Sequence, residues 1–201
     1  MKKIIELIIS YRFSLFKVFV YEILYILQGY KGNNFNIRNN LKTTDTIPCP
    51  YFFLNKILLA IKDYNIQSIT DIGCGNGRVL SFFNKKMQLN LIGYELFNDS
   101  YEECKNAFKY NKNITILKGD FFQSNIGEGR TDCYFINDPI KALELHNLLF
   151  SGFLKDLNKC RKPIYIVAVN MTEDKLGVFS HLEFIKSDLI GIKGFKLYKL
   201  N

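Results

Sequence analysis

The sequence predicts an α/β, doubly wound fold: a mostly parallel seven-stranded sheet with a C-terminal antiparallel hairpin and an N-terminal helical extension. Three observations carry this prediction. Short apolar runs alternate with helix-period segments from residue 51 onward, a glycine-rich turn joins the first of those runs to its helix, and the last two runs are separated only by Gly191-Ile192-Lys193-Gly194. Alternating strands and helices place helices on both faces of a parallel sheet. A link that short has no room for a crossover helix, so the final pair must run antiparallel.

Residues 3–28 are dense in Ile, Leu, Phe, Val and Tyr and read as one or two helices, closed by Gly29 and an Asn- and Gly-rich loop to Asn40. Pro48-Cys49-Pro50 holds the chain extended, because proline disfavours the helical region for its predecessor, and Pro50 then pre-sets a helix over residues 51–64. Strands follow at residues 68–72, 89–95, 114–118, 133–137 and 163–169. Helices start near Gly77 and span residues 98–110 and 141–160. Residues 182–190 and 195–200 supply the closing hairpin. The chain thus divides into a helical extension, residues 1–47, and a ligand-binding domain, residues 48–201.

Over 201 residues, 48% hydrophobic and 23% charged content excludes disordered and fibrous classes. The net charge of +8 leaves nucleic acid, an anionic membrane surface and an anionic substrate open as partners, although its lysines are scattered singly. Five cysteines form no C-x-x-C pair, so neither a disulfide framework nor a zinc site is indicated; a reducing cytoplasm fits, and no metal is expected. Glu6 interrupts the apolar start and no small-residue cleavage site follows, which argues against a secretion signal. Arg12, Lys17 and Glu22 break every window of the about 18–20 residues needed to cross a bilayer. The same helix can pack on the domain or lie flat on a membrane surface.

The strongest motif is Asp71-Ile72-Gly73-Cys74-Gly75-Asn76-Gly77, running from a buried strand into an apolar-periodic helix. Glycines there let backbone approach a ligand closely, and the helix that follows begins with unpaired N–H groups that favour an anionic moiety. Arg78 stands where the dinucleotide fingerprint needs its third glycine, which counts against NAD or FAD. No G-x-x-x-x-G-K-[ST] occurs, which excludes the phosphate loop of ATPases. Glu95 ends the second strand, where a carboxylate can accept two ribose hydroxyl hydrogen bonds. Asp120 and Phe121 follow the third strand and suit an adenine amino group and its ring. At the end of the fourth strand lies Asn137-Asp138-Pro139-Ile140.

Together these segments resemble the S-adenosylmethionine-dependent methyltransferases of the seven-stranded, class I kind, over about residues 48–201. The resemblance implies S-adenosyl-L-methionine as cofactor, with Gly73, Cys74, Gly75 and Gly77 under its methionine part and Asp71 placing the amino group. It implies ribose on Glu95, adenine between Leu96 and Phe121 with Asp120 at its amino group, and Asn137 beside the transferable methyl. Members that methylate exocyclic amines carry Pro-Pro and an aromatic after the fourth strand. Here Asp138 and Ile140 stand instead, which removes the ring that would stack on a base. Pro50-Tyr51 and Asn137-Asp138-Pro139 are loosely similar to small bacterial members linked to surface-polysaccharide gene clusters.

Methyl transfer needs alignment more than elaborate catalytic groups. A hydroxyl acceptor would use a general base, for which Asp138 is the first candidate, ahead of His146 and His181. The implied enzyme methylates a small molecule, glycan or protein. An RNA methyltransferase using the basic surface and a non-catalytic binding protein of the same fold are the alternatives.

Overall fold

The computed structural model describes residues 2–32, 34, 42–45, 47–123, 131–159, 162–190 and 193–201, side chains of residues 2–12 aside. Its strands are β1 (Ser68–Ile72), β2 (Asn90–Glu95), β3 (Ile114–Lys118), β4 (Cys133–Asn137), β5 (Ile164–Val169), β6 (Glu183–Ile190) and β7 (Lys193–Leu200). The α-helices are α1 (Lys2–Leu27), α2 (Tyr51–Ile61), α3 (Arg78–Lys86), α4 (Asn98–Phe108), α5 (Leu143–Leu157) and the single turn α6 (Glu173–Leu176).

The strands form one sheet in the order β3-β2-β1-β4-β5-β7-β6. From β3 to β5 every pairing is parallel, and β7 runs antiparallel between β5 and β6. This is the predicted fold class. Side chains alternate across the pleat, so Phe135, Val167 and Leu197 enter one core while Ile136, Ile166 and Tyr198 enter the other. The first core is closed by α2 and α3 through Leu54, Ile57, Phe82 and Phe83. The second is closed by α5 through Phe150, Phe153 and Leu157.

Element ends differ from expectation where tertiary bonds intervene. Of the one or two helices expected at the start of the chain, residues 2–27 form one. The helix after Pro50 stops at Ile61, and Tyr64 beyond it packs on Tyr165 of β5, ring centroids 4.7 Å apart. α5 starts at Leu143, not near 141, because Lys141 N–H is drawn to the Lys42 carbonyl, 3.0 Å away, and Thr43 bridges Ile140 antiparallel. Cys160, at the expected end of that helix, and Gly191 and Ile192, in the expected hairpin link, lie outside the described residues. α6 and the 3-10 turns at Phe121–Gln123 and Gly177–Phe179 are too short to leave a periodic signal.

Candidate functional site

The strand order reverses between β1 and β4, which opens a crevice at the carboxyl ends of the parallel strands. A cavity of about 390 Å³ fills it. Asp71, one residue before the end of β1, forms part of its floor, opposite Gly93 of β2 and Phe135 of β4 in the register. Gly93 keeps this place open for the turn after β1, since a Cβ there would stand 2.7 Å from Cys74 Sγ.

Asp71 is buried, and its Oδ2 has no hydrogen-bond partner among the described residues. Burial in a poorly polarisable floor, with the Glu95 charge adding to it, pushes its carboxyl up to about 8. An orphaned buried carboxylate is costly unless something satisfies it. A cationic amino group entering the cavity would do so.

Glu95 is also buried and lines the cavity. Its Oε2 accepts from Gly75 N–H at 2.8 Å and its Oε1 from Phe97 N–H at 2.8 Å, so the carboxylate braces the glycine turn against the entry to α4. With about four acceptor sites, a carboxylate can hold two amides and still receive ligand hydroxyls.

Gly73, Cys74 and Gly75 line the cavity. Gly77 does not: its φ of +85° turns the chain into α3, and a Cβ there would lie 2.5 Å from Phe108 Cε2. Its glycine is demanded by packing on α4 rather than by the cavity. The pKa of the Cys74 thiol is raised by its hydrogen bond with the free Cys104 thiol and by burial, which makes it an inert wall.

Across the cavity, Asp120 caps the 3-10 turn by accepting from Phe122 N–H at 3.0 Å. Leu96 is half-exposed at the rim. Phe121 lines the cavity too, yet its ring is committed to the core, 5.0 Å from Tyr94 and 5.5 Å from Phe153.

Asn137 lines the cavity with both ends of its amide engaged: Nδ2 donates to Ile47 O and Oδ1 accepts from Asn170 Nδ2, each at 2.8 Å. Asp138 is placed differently from expectation. Its backbone has φ +40°, its Oδ1 receives Lys175 Nζ at 2.5 Å, and it is not part of the cavity wall. Lys175 also donates to Ile140 O at 2.5 Å, so a buried ammonium fixes the turn and turns the carboxylate away. His146 is on the buried face of α5 with its pKa lowered by burial, and neither it nor the exposed His181 reaches the cavity.

Three features were not found by reading the sequence. Residues 42–45 and 47–49 line the cavity as a strap, with Thr44 Oγ1 donating to Asp138 O at 2.6 Å and Thr44 N–H to Pro139 O at 3.2 Å. Irregular backbone gives no periodic signal. Lys175 meets Asp138 from 37 residues away, which no local motif announces. Arg78, noted only as a missing glycine, is buried, pairs with Glu22 of α1 at 2.6 Å, donates to Cys49 O at 3.3 Å and lies over the Tyr51 ring.

The sheet order, the terminal hairpin and a cavity at the switch point define a Rossmann-like methyltransferase fold. Residues 69–163 match the family described as Methyltransferase domain. Solved structures agree. An RNA methyltransferase from Salinibacter ruber in complex with S-adenosyl-L-homocysteine is 16% identical with a TM-score of 0.57, over 76% of this chain and 92% of that one. A TehB-like SAM-dependent methyltransferase from Corynebacterium glutamicum is 17% identical with a TM-score of 0.50, over 73% of this chain and 86% of that one. Human N-acetylserotonin methyltransferase in complex with SAM is 15% identical with a TM-score of 0.53, over 73% of this chain and 51% of that one. At these identities the likeness is one of fold. No curated protein matches the chain.

Proposed function

We propose that this chain is an S-adenosylmethionine-dependent methyltransferase acting on a small molecule, glycan or protein, with residues 48–201 as the catalytic domain and 1–47 as an extension. The observation that carries this reading is the orphaned Asp71 carboxylate, buried in the cavity floor beside the Glu95 carboxylate and the glycine turn. Floor and turn fit a ligand with an ammonium at one end and vicinal hydroxyls further along.

When bound, the cofactor supplies an electrophilic methyl on a sulfonium. Asp71 would accept the cofactor's ammonium, releasing its own proton to solvent, while Glu95 would hold the ribose. Asp120 and Leu96 would border the adenine, and Phe121 would form the wall behind it. The strap and Asn137 close the side on which an acceptor meets the methyl, and alignment there supplies most of the rate. Asp138, held by Lys175, anchors that wall instead of serving as base. Asp45, on the strap, is the remaining carboxylate among the described residues lining the cavity, and we assign it to the acceptor side.

Isothermal titration with S-adenosylmethionine and S-adenosylhomocysteine tests this. Micromolar binding of both is the expected result, and absence of heat with either would leave a methyltransferase fold without its cofactor. The net charge of +8 also suits RNA as acceptor. RNA affinity that rises with bound cofactor and falls steeply with salt would favour that acceptor class.

A further inference from the structure

The outer face of α1 is nearly all apolar. Between residues 13 and 27 nine positions are exposed, and eight of them are Phe13, Leu15, Phe16, Phe19, Ile23, Leu24, Ile26 and Leu27. The exposures are large, 61% for both Phe16 and Phe19 and 78% for Leu27. The inward stripe is the more polar one: Ser14, Tyr21, Glu22 and Tyr25 share it with Val18 and Val20. A contiguous apolar face of this kind marks an interaction surface, unlike the scattered Tyr110 and Leu148 elsewhere.

Among the described residues, the exposed charges on and beside this face are of one sign. Lys17 is its ninth exposed residue, and Lys85 and Lys86, both exposed, flank the carboxyl end of the helix. Lys85 Nζ donates to Gln28 O and Gly29 O, and Lys86 Nζ lies 5.4 Å from the Tyr25 ring centroid. Glu22, the acid in this stretch, is turned inward onto Arg78. Aromatic and aliphatic side chains ringed by lysines match an anionic lipid surface, where apolar insertion and attraction to headgroups add. A second copy would set the same lysines against one another with no acid on the face, among the described residues, to receive them. No helix among the described residues is long and apolar enough to cross a membrane.

We infer that α1 is a monotopic anchor that lies in the headgroup region of an anionic bilayer, its apolar face down. Flotation of the full chain with vesicles tests this, comparing pure phosphatidylcholine with vesicles containing about one third phosphatidylglycerol. The expected result is recovery with the anionic vesicles, weakened severalfold by raising salt to about 0.5 M, and little recovery with neutral ones. The double substitution Phe16→Glu with Phe19→Glu lowers recovery at least about tenfold, since both rings lose their insertion. Leu148→Glu, on an exposed apolar residue of α5, retains it. Circular dichroism checks that all three chains are folded. Absence of recovery with anionic vesicles overturns the inference, as does undiminished recovery of the double variant or equal recovery with neutral vesicles. Dimerisation in lipid-free sedimentation, abolished by the double substitution in a chain that ignores vesicles, would give the face to a second copy.

Discussion

Two acidic residues stand at the carboxyl ends of neighbouring parallel strands, in opposite electrostatic surroundings. Asp71, near the end of β1, faces the cavity with one oxygen unsatisfied and a second carboxylate, Glu95, close by. Asp138, just beyond β4, lies outside the cavity and is neutralised by the Lys175 ammonium at 2.5 Å. One position is an electrostatic debt left open for a ligand; the other is closed within the protein. The difference separates recognition from scaffolding among residues that look alike in sequence.

The comparison can be broken at either end. The largest effect is expected from Glu95→Ala, which removes the acceptor of Gly75 and Phe97 N–H together with the proposed ribose contact. At about 1.5–3 kcal/mol for each hydrogen bond to a charged group, cofactor affinity should fall about a thousandfold by calorimetry. Retained affinity would remove Glu95 from the site.

On the closed side, Lys175→Met strands the Asp138 carboxylate and should cost about 3 kcal/mol in urea unfolding. Adding Asp138→Asn to that variant should restore most of the loss, because asparagine tolerates the left-handed backbone there and carries no charge. If the double variant were no more stable than the single one, the pair would not be the reason Lys175 is buried.

Asp71→Asn sharpens the contrast with a smaller effect, about thirtyfold on cofactor affinity from loss of one charge-assisted bond. Its pH signature is more specific. Folding raises this carboxyl from near 4 to about 8, so between those values the folded state holds a proton that the unfolded state has lost. Stability therefore declines as pH rises across that window, by up to about 1.4 kcal/mol per unit, and levels off above it. Asparagine removes this slope, so the variant should equal or exceed the parent in stability near pH 8. Cofactor binding to the parent near neutral pH should also release a proton, read as a buffer-dependent heat that Asp71→Asn lacks.

The sheet was legible because its strands obey a two-residue period or are buried throughout, as in Ser68–Ile72, and because the hairpin link is too short for a helix. The glycine turn, Glu95 and Asp120 were legible as positions after strands, and the structure gathers them at one cavity. What sequence could not show were partners chosen across the fold. The exposed or buried sense of α1 is one case, since apolar density alone does not say which side meets the domain. Asp138 is another, because a lysine 37 residues away decides whether it faces the cavity. Gly77 is a third, a motif glycine whose requirement comes from Phe108 on α4.

The seat of α1 has a further consequence for spectroscopy. Tyr25 stacks on Tyr51 with centroids 4.8 Å apart, Tyr30 meets both, and Arg78 covers the Tyr51 ring. The chain contains no tryptophan. Near-ultraviolet dichroism is therefore dominated by tyrosines, and this coupled trio bridges the helix, the start of α2 and the arginine that follows the glycine turn. The protein carries its own optical gauge of whether α1 is seated, readable without any label.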